Sequence, residues 1–158
     1  MVYNLCLNYL QNVPEAEDAT QEVFVKIHKN ISGFDRRSSA KTWIYRLTVN
    51  YCLDVLKMHK RKSTLIRLIS LFNSDPEKIS GISSDMDHPG IKMENMEKTK
   101  FIFEKINKLP SQQKTVILLK VTEDLNLNEI SEIMQLSYKS AESLLSRARS
   151  NLKKAGVK

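Results

Sequence analysis

Glycine is scarce in this chain, with four in 158 residues and none arranged as a phosphate-cradling loop. Cysteine is scarcer still. Cys6 and Cys52 are isolated and show no C-x-x-C spacing, so two reduced thiols packed as small apolar side chains are expected. His28, His59 and His88 are scattered without ligand spacing, which leaves no sequence basis for a metal site. No nucleophile is set beside a base, so nothing points to catalysis, and no cofactor is expected. No apolar run is long enough to cross a bilayer, and the N-terminus lacks a signal-peptide pattern. These features lead to the expectation of a soluble, cytoplasmic, non-enzymatic protein without membrane insertion.

What the chain has in excess is positive charge, a formal +7 that is unevenly spread. Residues 1–62 carry 10 basic and 6 acidic groups, residues 63–95 carry 3 and 5, and residues 96–158 carry 12 and 7. Two basic lobes flanking a mildly acidic middle suit two nucleic-acid contacts joined by a tether.

The C-terminal stretch carries the most explicit local signals. Asn126 and Glu129 form an N-cap pair, and Ile130, Ile133 and Met134 follow at helical spacing as an inward stripe. Gln135-Leu136-Ser137 ends this helix, and Ser137 caps the next. There Ala141, Leu144, Leu145 and Ala148 make the buried stripe. Lys139, Arg147, Arg149, Lys153 and Lys154 lie mainly off that stripe, against the single acid Glu142. The pattern is a helix-turn-helix whose second helix suits phosphate contact and base-edge reading through Tyr138, Lys139, Ser140 and Ser143. Taken alone, it also fits a helical hairpin with an ordinary solvated charged face.

Between the lobes, residues 63–95 lose sustained helical period, apart from a short amphipathic piece at Leu65–Phe72. Turn formers gather around Pro76, Gly81, Pro89 and Gly90, as expected of a flexible linker. Helical character returns from Met93 to about Lys108. Leu109-Pro110 breaks it, and Ser111 is expected to cap a helix through Val121.

The N-terminal lobe reads as helical and densely apolar. After Pro14 at a helix start, Ala16, Ala19, Val23, Phe24, Ile27 and Ile31 recur at helical turns as the expected apolar stripe. Glu15, Glu17, Asp18, Gln21, Glu22 and Lys26 occupy the other face. A loop over 32–39 leads to Ser39 as cap of a helix from Ala40 to about Lys62. That helix is aromatic and aliphatic at first and ends in Lys57-Met-His-Lys60-Arg61-Lys62. The basic end suits a polyanion, and equally a solvated helix terminus. The expected architecture is all-α: two small helical domains, 1–62 and 96–158, joined by a linker over 63–95.

These residues carry a resemblance. Ala16-Glu-Asp18-Ala-Thr-Gln21-Glu22-Val23-Phe24, then Phe34 and Thr42-Trp43-Ile44-Tyr45-Arg46 with Asn50 and Asp54, closely resemble region two of extracytoplasmic-function (ECF) sigma factors of the sigma-70 family. Leu109-Pro110, Glu129-Ile130-Ser-Glu-Ile133 and Ser146-Arg147-Ala148-Arg149 resemble region four of the same family. The two sets occur in the family's order and cover nearly everything except the tether.

The resemblance implies a subunit that binds bacterial core RNA polymerase and directs it to promoter DNA. Asp18, Gln21, Glu22 and Phe24 would face the clamp helices of the β′ subunit. The loop with Phe34, Arg36, Arg37, Ser38 and Ser39 would hold a flipped minus-ten base. Lys41, Trp43, Arg46, Asn50, Lys57, Lys60 and Arg61 would support the melted strand, offsetting the energy of unstacking. Region four would dock on the β flap and read the minus-thirty-five element through Tyr138, Lys139, Ser140, Glu142, Ser143, Ser146, Arg147 and Arg149. The family also has anti-sigma partners, although no residue here identifies one.

Three features depart from the family pattern. Relatives usually carry further helix upstream, which would make Tyr3, Leu5, Leu7 and Leu10 the second half of the first helix. Gln135 stands where the family often has glycine. Glu142 and Leu144 stand where it often has a basic residue, and a carboxylate there repels phosphate or accepts from a cytosine amino group. Two other classes compete with a polymerase subunit: a free-standing helix-turn-helix regulator that binds duplex operators alone, and an adaptor that keeps only the scaffold. The N-terminal motif set favours the polymerase subunit, because a simple regulator has no use for a polymerase-binding lobe.

Overall fold

A computed structural model describes the backbone of residues 1–72 and 93–157, with side chains for 1–66 and 97–157. Most of the tether expected over 63–95 therefore lies outside the described residues. Among the described residues there are seven α-helices and no strand: α1 (Val2–Leu10), α2 (Val13–Asn30), α3 (Ala40–Phe72), α4 (Met93–Asn107), α5 (Ser111–Val121), α6 (Leu127–Met134) and α7 (Tyr138–Lys154). One turn of 3-10 helix, Ile31–Gly33, follows α2.

The first three helices make one lobe. Leu5, Cys6 and Tyr9 of α1, Ala16, Ala19 and Val23 of α2, and Tyr45, Val49 and Cys52 of α3 are all buried. Each stripe recurs at three or four residues, so each helix turns one face inward. Asn12 starts α2 by accepting a hydrogen bond from the Glu15 N–H (2.9 Å), with Pro14 in the first turn. Ser39 starts α3 as expected, its Oγ accepting from the Thr42 N–H (3.0 Å). Two expectations change. Phe24 and Ile31 are exposed at 56% and 60%, so the α2 stripe narrows to Ala16, Ala19 and Val23, with Ile27 half-buried. And α3 does not end near Lys62 but continues to Phe72. No glycine or proline interrupts 63–72, and the Thr64 hydroxyl folds back to the Lys60 carbonyl (2.9 Å), so nothing there terminates the helix.

Cys6 and Cys52 are free thiols, fully buried, with their sulfurs 3.8 Å apart across α1 and α3. Their separation of 46 residues hid this meeting from the sequence. The hydrogen bond it donates to Cys6, together with burial, pushes the Cys52 thiol up, whereas receiving that bond brings Cys6 down.

The second lobe is α4–α7. Val116, Leu118 and Leu119 of α5 pack with Ile130 and Ile133 of α6 and with Ala141, Leu145, Ala148 and Leu152 of α7. Ser111 does not cap α5. Pro110 holds the N-cap position without a side-chain bond, and Ser111 lies one residue inside, its carbonyl accepting from the Thr115 hydroxyl (2.9 Å).

The two lobes pack against each other, α1 against α5 and α3 against α6. At the centre of this seam the Tyr9 hydroxyl donates to Thr115 Oγ1 (2.8 Å). The buried Lys114 ammonium donates to the Tyr9 carbonyl (3.0 Å) and to Asn107 Oδ1 (2.7 Å). It also sits over the Tyr9 ring, 5.4 Å from its centroid. Burial pulls the Lys114 pKa down to about 8, opposed by the Cys52 thiol group.

Candidate nucleic-acid and polymerase interface

The helix-turn-helix is built as its caps require. The Asn126 side chain accepts from the Asn128 and Glu129 N–H groups (2.9 and 3.0 Å), and Glu129 Oε2 accepts in return from the Asn126 N–H (2.9 Å). Gln135 then takes φ 55°, ψ 44°, the left-handed conformation that glycine adopts most readily. The expected turn is thus kept by a residue with a Cβ. Ser137 starts α7, its Oγ accepting from the Ser140 N–H (3.2 Å). Tyr138, Lys139, Ser140, Glu142, Ser146, Arg147 and Arg149 are exposed and Ser143 is half-buried. Ser143 Oγ accepts from Arg147 Nε and Nη2 (3.3 and 2.8 Å), which steadies that guanidinium on the outer face.

Arg149 lies elsewhere. With Lys153 it flanks an apolar groove of about 790 Å³ lined by Ile102, Ile106, Ile117, Val121 and Leu152. The sequence pattern gave no sign of this groove, because its walls come from three helices.

In the N-terminal lobe, Asp18, Gln21, Glu22 and Phe24 of α2 are all exposed. Val25 is exposed at 43% and lies one turn on from Gln21 and Glu22, so it joins their face. That 18–21–22–25 spacing was readable in the sequence, which gave Val25 no role. Within the 34–39 loop, Phe34 leans on Trp43 with ring centroids 5.2 Å apart. Asp35 accepts from the Arg37 N–H (3.1 Å) and pairs with its guanidinium (2.9 Å), while Arg36 takes φ 59°. Ser38 is half-buried. Along α3, Lys57, Lys60 and Arg61 join Thr64 and Leu65 around a second groove of about 450 Å³, and Asn50 is exposed.

Two residues expected to face a melted strand are engaged by α6 instead. Arg46 donates through Nε and Nη2 to the Glu132 carbonyl (3.0 and 2.7 Å), and Lys41 approaches Glu129 (3.7 Å). Beside them the Tyr45 hydroxyl donates to Glu123 Oε2 (2.8 Å). Burial, and that bond to a carboxylate, push the Tyr45 phenol up. Among the described residues no group of three or more Asp, Glu, His or Cys is placed to hold a metal ion, and no helix is long and apolar enough to cross a membrane.

Comparison with known proteins decides the family. Residues 1–62 match sigma-70 region 2, and residues 102–152 match sigma-70 region 4. The chain is 33% identical to the ECF RNA polymerase sigma factor SigW of Bacillus subtilis over 154 residues, covering 97% of this chain and 81% of that one. The chain belongs to the ECF sigma factors. It is also 30% identical to the ECF RNA polymerase sigma-E factor of Haemophilus influenzae, over 84% of this chain and 69% of that one. Two solved structures share the fold of this ECF factor at 16% identity: CnrH in complex with the cytosolic domain of CnrY, with a TM-score of 0.66 over 97% of this chain and 78% of that one, and RpoE in complex with the anti-sigma factor NepR from Bartonella quintana, with a TM-score of 0.60 over 98% and 88%. The family is one of transcription initiation factors rather than enzymes.

Proposed function

We infer that this chain is a promoter-specificity subunit: it binds core RNA polymerase and directs it to its own promoters, with no enzymatic activity of its own, in the cytoplasm. The observation that carries this reading is the presence of region 2 and region 4, in that order, on one chain. A free-standing operator-binding regulator has no need of the first.

Residues 1–62 and 96–158 act as the two working domains, joined through 63–95. On α2, the exposed face of Asp18, Gln21, Glu22 and Phe24, extended by Val25, presents a carboxylate-edged apolar patch to the β′ clamp helices. In region 4 the apolar groove between α4, α5 and α7 suits the β flap. The loop with Phe34, Arg36, Arg37, Ser38 and Ser39 holds the flipped minus-ten base, where the Phe34–Trp43 pair gives it an aromatic floor. Lys41, Arg46, Asn50, Lys57, Lys60 and Arg61 line the path of the melted strand along α3.

The outward face of α7 enters the minus-thirty-five major groove. Tyr138, Lys139, Ser140 and Ser143 reach base edges there, Ser146 and Arg147 supply the polar and basic flank, and Glu142 accepts from a cytosine amino group. An anti-sigma partner belongs to the same reading, since both solved neighbours are described in complexes of that kind or with a cytosolic partner domain. Mixing the purified chain with core polymerase tests the proposal. A stoichiometric complex on gel filtration is expected, and a chain that elutes apart from polymerase while binding a palindromic duplex as a dimer would overturn it.

A further inference from the structure

Cys6 and Cys52 are the chain's only cysteines, and the fold brings them together inside the N-terminal lobe. They come from α1 and α3, 46 positions apart, and both are fully buried with their sulfurs 3.8 Å apart. Nothing in the proposed function uses them. Packing asks only for small apolar side chains there, whereas two thiols in contact carry a reaction as well.

The pair is asymmetric. Cys52 donates its S–H to Cys6, so Cys6 is the sulfur readier to carry negative charge. The buried Lys114 ammonium acts on Cys52 and favours negative charge in the pair. Cys6 is therefore the attacking sulfur and Cys52 the resolving one. Burial then limits what can reach them. The half-buried Thr20 side chain of α2 stands beside Cys6, so the pair lies one side chain beneath the surface. Only nine residues long, α1 is shorter than a helix that holds by itself, and its local opening admits a small molecule. A glutathione-sized disulfide must also bring its own sulfur into line with the attacking one, which the surrounding core resists.

We propose that Cys6 and Cys52 form a peroxide-reactive dithiol: a small peroxide oxidises the pair to one intramolecular disulfide, which ties α1 to α3 and stabilises the N-terminal lobe. The Cys6 thiolate attacks one oxygen of hydrogen peroxide. An S–O bond forms, the O–O bond breaks, and the leaving hydroxide takes the proton released by Cys6 to become water. Cys52 then attacks the sulfenic sulfur of Cys6. The S–S bond forms, the S–O bond breaks, and hydroxide leaves with the Cys52 proton as a second water. Two thiols thus lose two electrons in all, and one peroxide is reduced to two waters. Exchange with a small dithiol restores both thiols and turns the dithiol into its own disulfide. With no third cysteine in the chain, the ring closes without leaving a thiol to link two molecules. The inference stands apart from the sigma-factor reading, because it rests on the lobe's core alone.

The test uses the full reduced chain, treated with hydrogen peroxide, then unfolded and alkylated for intact-mass measurement. The wild type should be lighter by two hydrogens and take no alkyl group, and dithiothreitol should reverse both. Its melting temperature should rise by at least about 5 °C on oxidation, as expected for a cross-link between residues 46 apart. Oxidised glutathione at the same oxidising equivalents should act much more slowly. Cys52→Ala should gain no stability from peroxide and should leave Cys6 as a sulfenic acid that dimedone traps. The wild-type measurements decide by themselves should circular dichroism show that variant misfolded. Two thiols still open to alkylation after peroxide overturn the proposal, as do added oxygens in place of a disulfide. So do an unchanged melting temperature in the disulfide form and equal rates with oxidised glutathione.

Discussion

Lys114 departs furthest from ordinary behaviour at the scale of single residues. Its ammonium is buried over the Tyr9 ring and donates to the Tyr9 carbonyl, with Asn107 on one side and Cys52 close by. Burial holds its pKa at about 8 against an ordinary 10.5, so between those values the unfolded chain binds the extra proton. The sign follows: the penalty for burying the charge is fully present below about pH 8 and fades as pH rises toward 10.5. Tyr9 opposes this at higher pH, because burial raises its phenol and ionisation there disfavours the fold. Lys114 should therefore raise the melting temperature as pH goes from about 8 toward 9, above which the Cys52 thiol, raised from 9.0 in the fold, opposes it. Lys114→Met should flatten that rise, and a Met variant with the same slope would place the titration elsewhere. Arg147 acts outwardly. Arg147→Glu should weaken promoter binding and reduce the log–log salt slope by about one. A filter-binding salt series reads both. Neither residue's setting was legible in full: Arg147 stood out by its place on a helix face, whereas the burial of Lys114 depends on helices far away in sequence.

Helix ends were the most legible elements, because a cap needs only residues three positions apart. Asn126 with Glu129, Ser137 and Ser39 all perform the bonds their spacing implied. Asn126→Ala should cost about 1 kcal/mol in urea unfolding. Ser111 misled because a proline immediately before it takes the cap position and leaves the serine inside the helix. Phe24 and Ile31 misled for a different reason. Periodicity marks an apolar residue as inward, yet both are exposed, and the polymerase contact proposed for Phe24 gives such a side chain a use there. Glu22→Ala on that surface should weaken core-polymerase binding while leaving the circular dichroism helical, and unaltered affinity would sink the β′ assignment. At the turn of the helix-turn-helix, Gln135 carries positive φ with an exposed side chain. Gln135→Gly should stabilise the chain by about 0.5–1 kcal/mol, since relief of left-handed strain exceeds the entropy glycine adds to the unfolded state. A lower midpoint in the same urea titration would contradict this.

The whole molecule combines two lobes that the sequence announces separately with a seam that it does not announce at all. Region order and the all-helical class were readable, because both rest on local motifs. The bonds from Tyr9 to Thr115, Tyr45 to Glu123 and Arg46 to Glu132 link residues 106, 78 and 86 positions apart, and no local pattern encodes such pairs. In the proposed function the lobes gain their joint purpose only on polymerase, with α2 and the α4–α5–α7 groove assigned to one partner and the α3 and α7 faces to another. Transcription in vitro tests that most directly: core polymerase and this chain, supplied with total genomic DNA, followed by sequencing of RNA 5′ ends. Transcript starts preceded by one shared pair of elements, centred near minus ten and minus thirty-five and absent with core alone, are the expected result. A transcript profile identical with and without the chain would contradict the account.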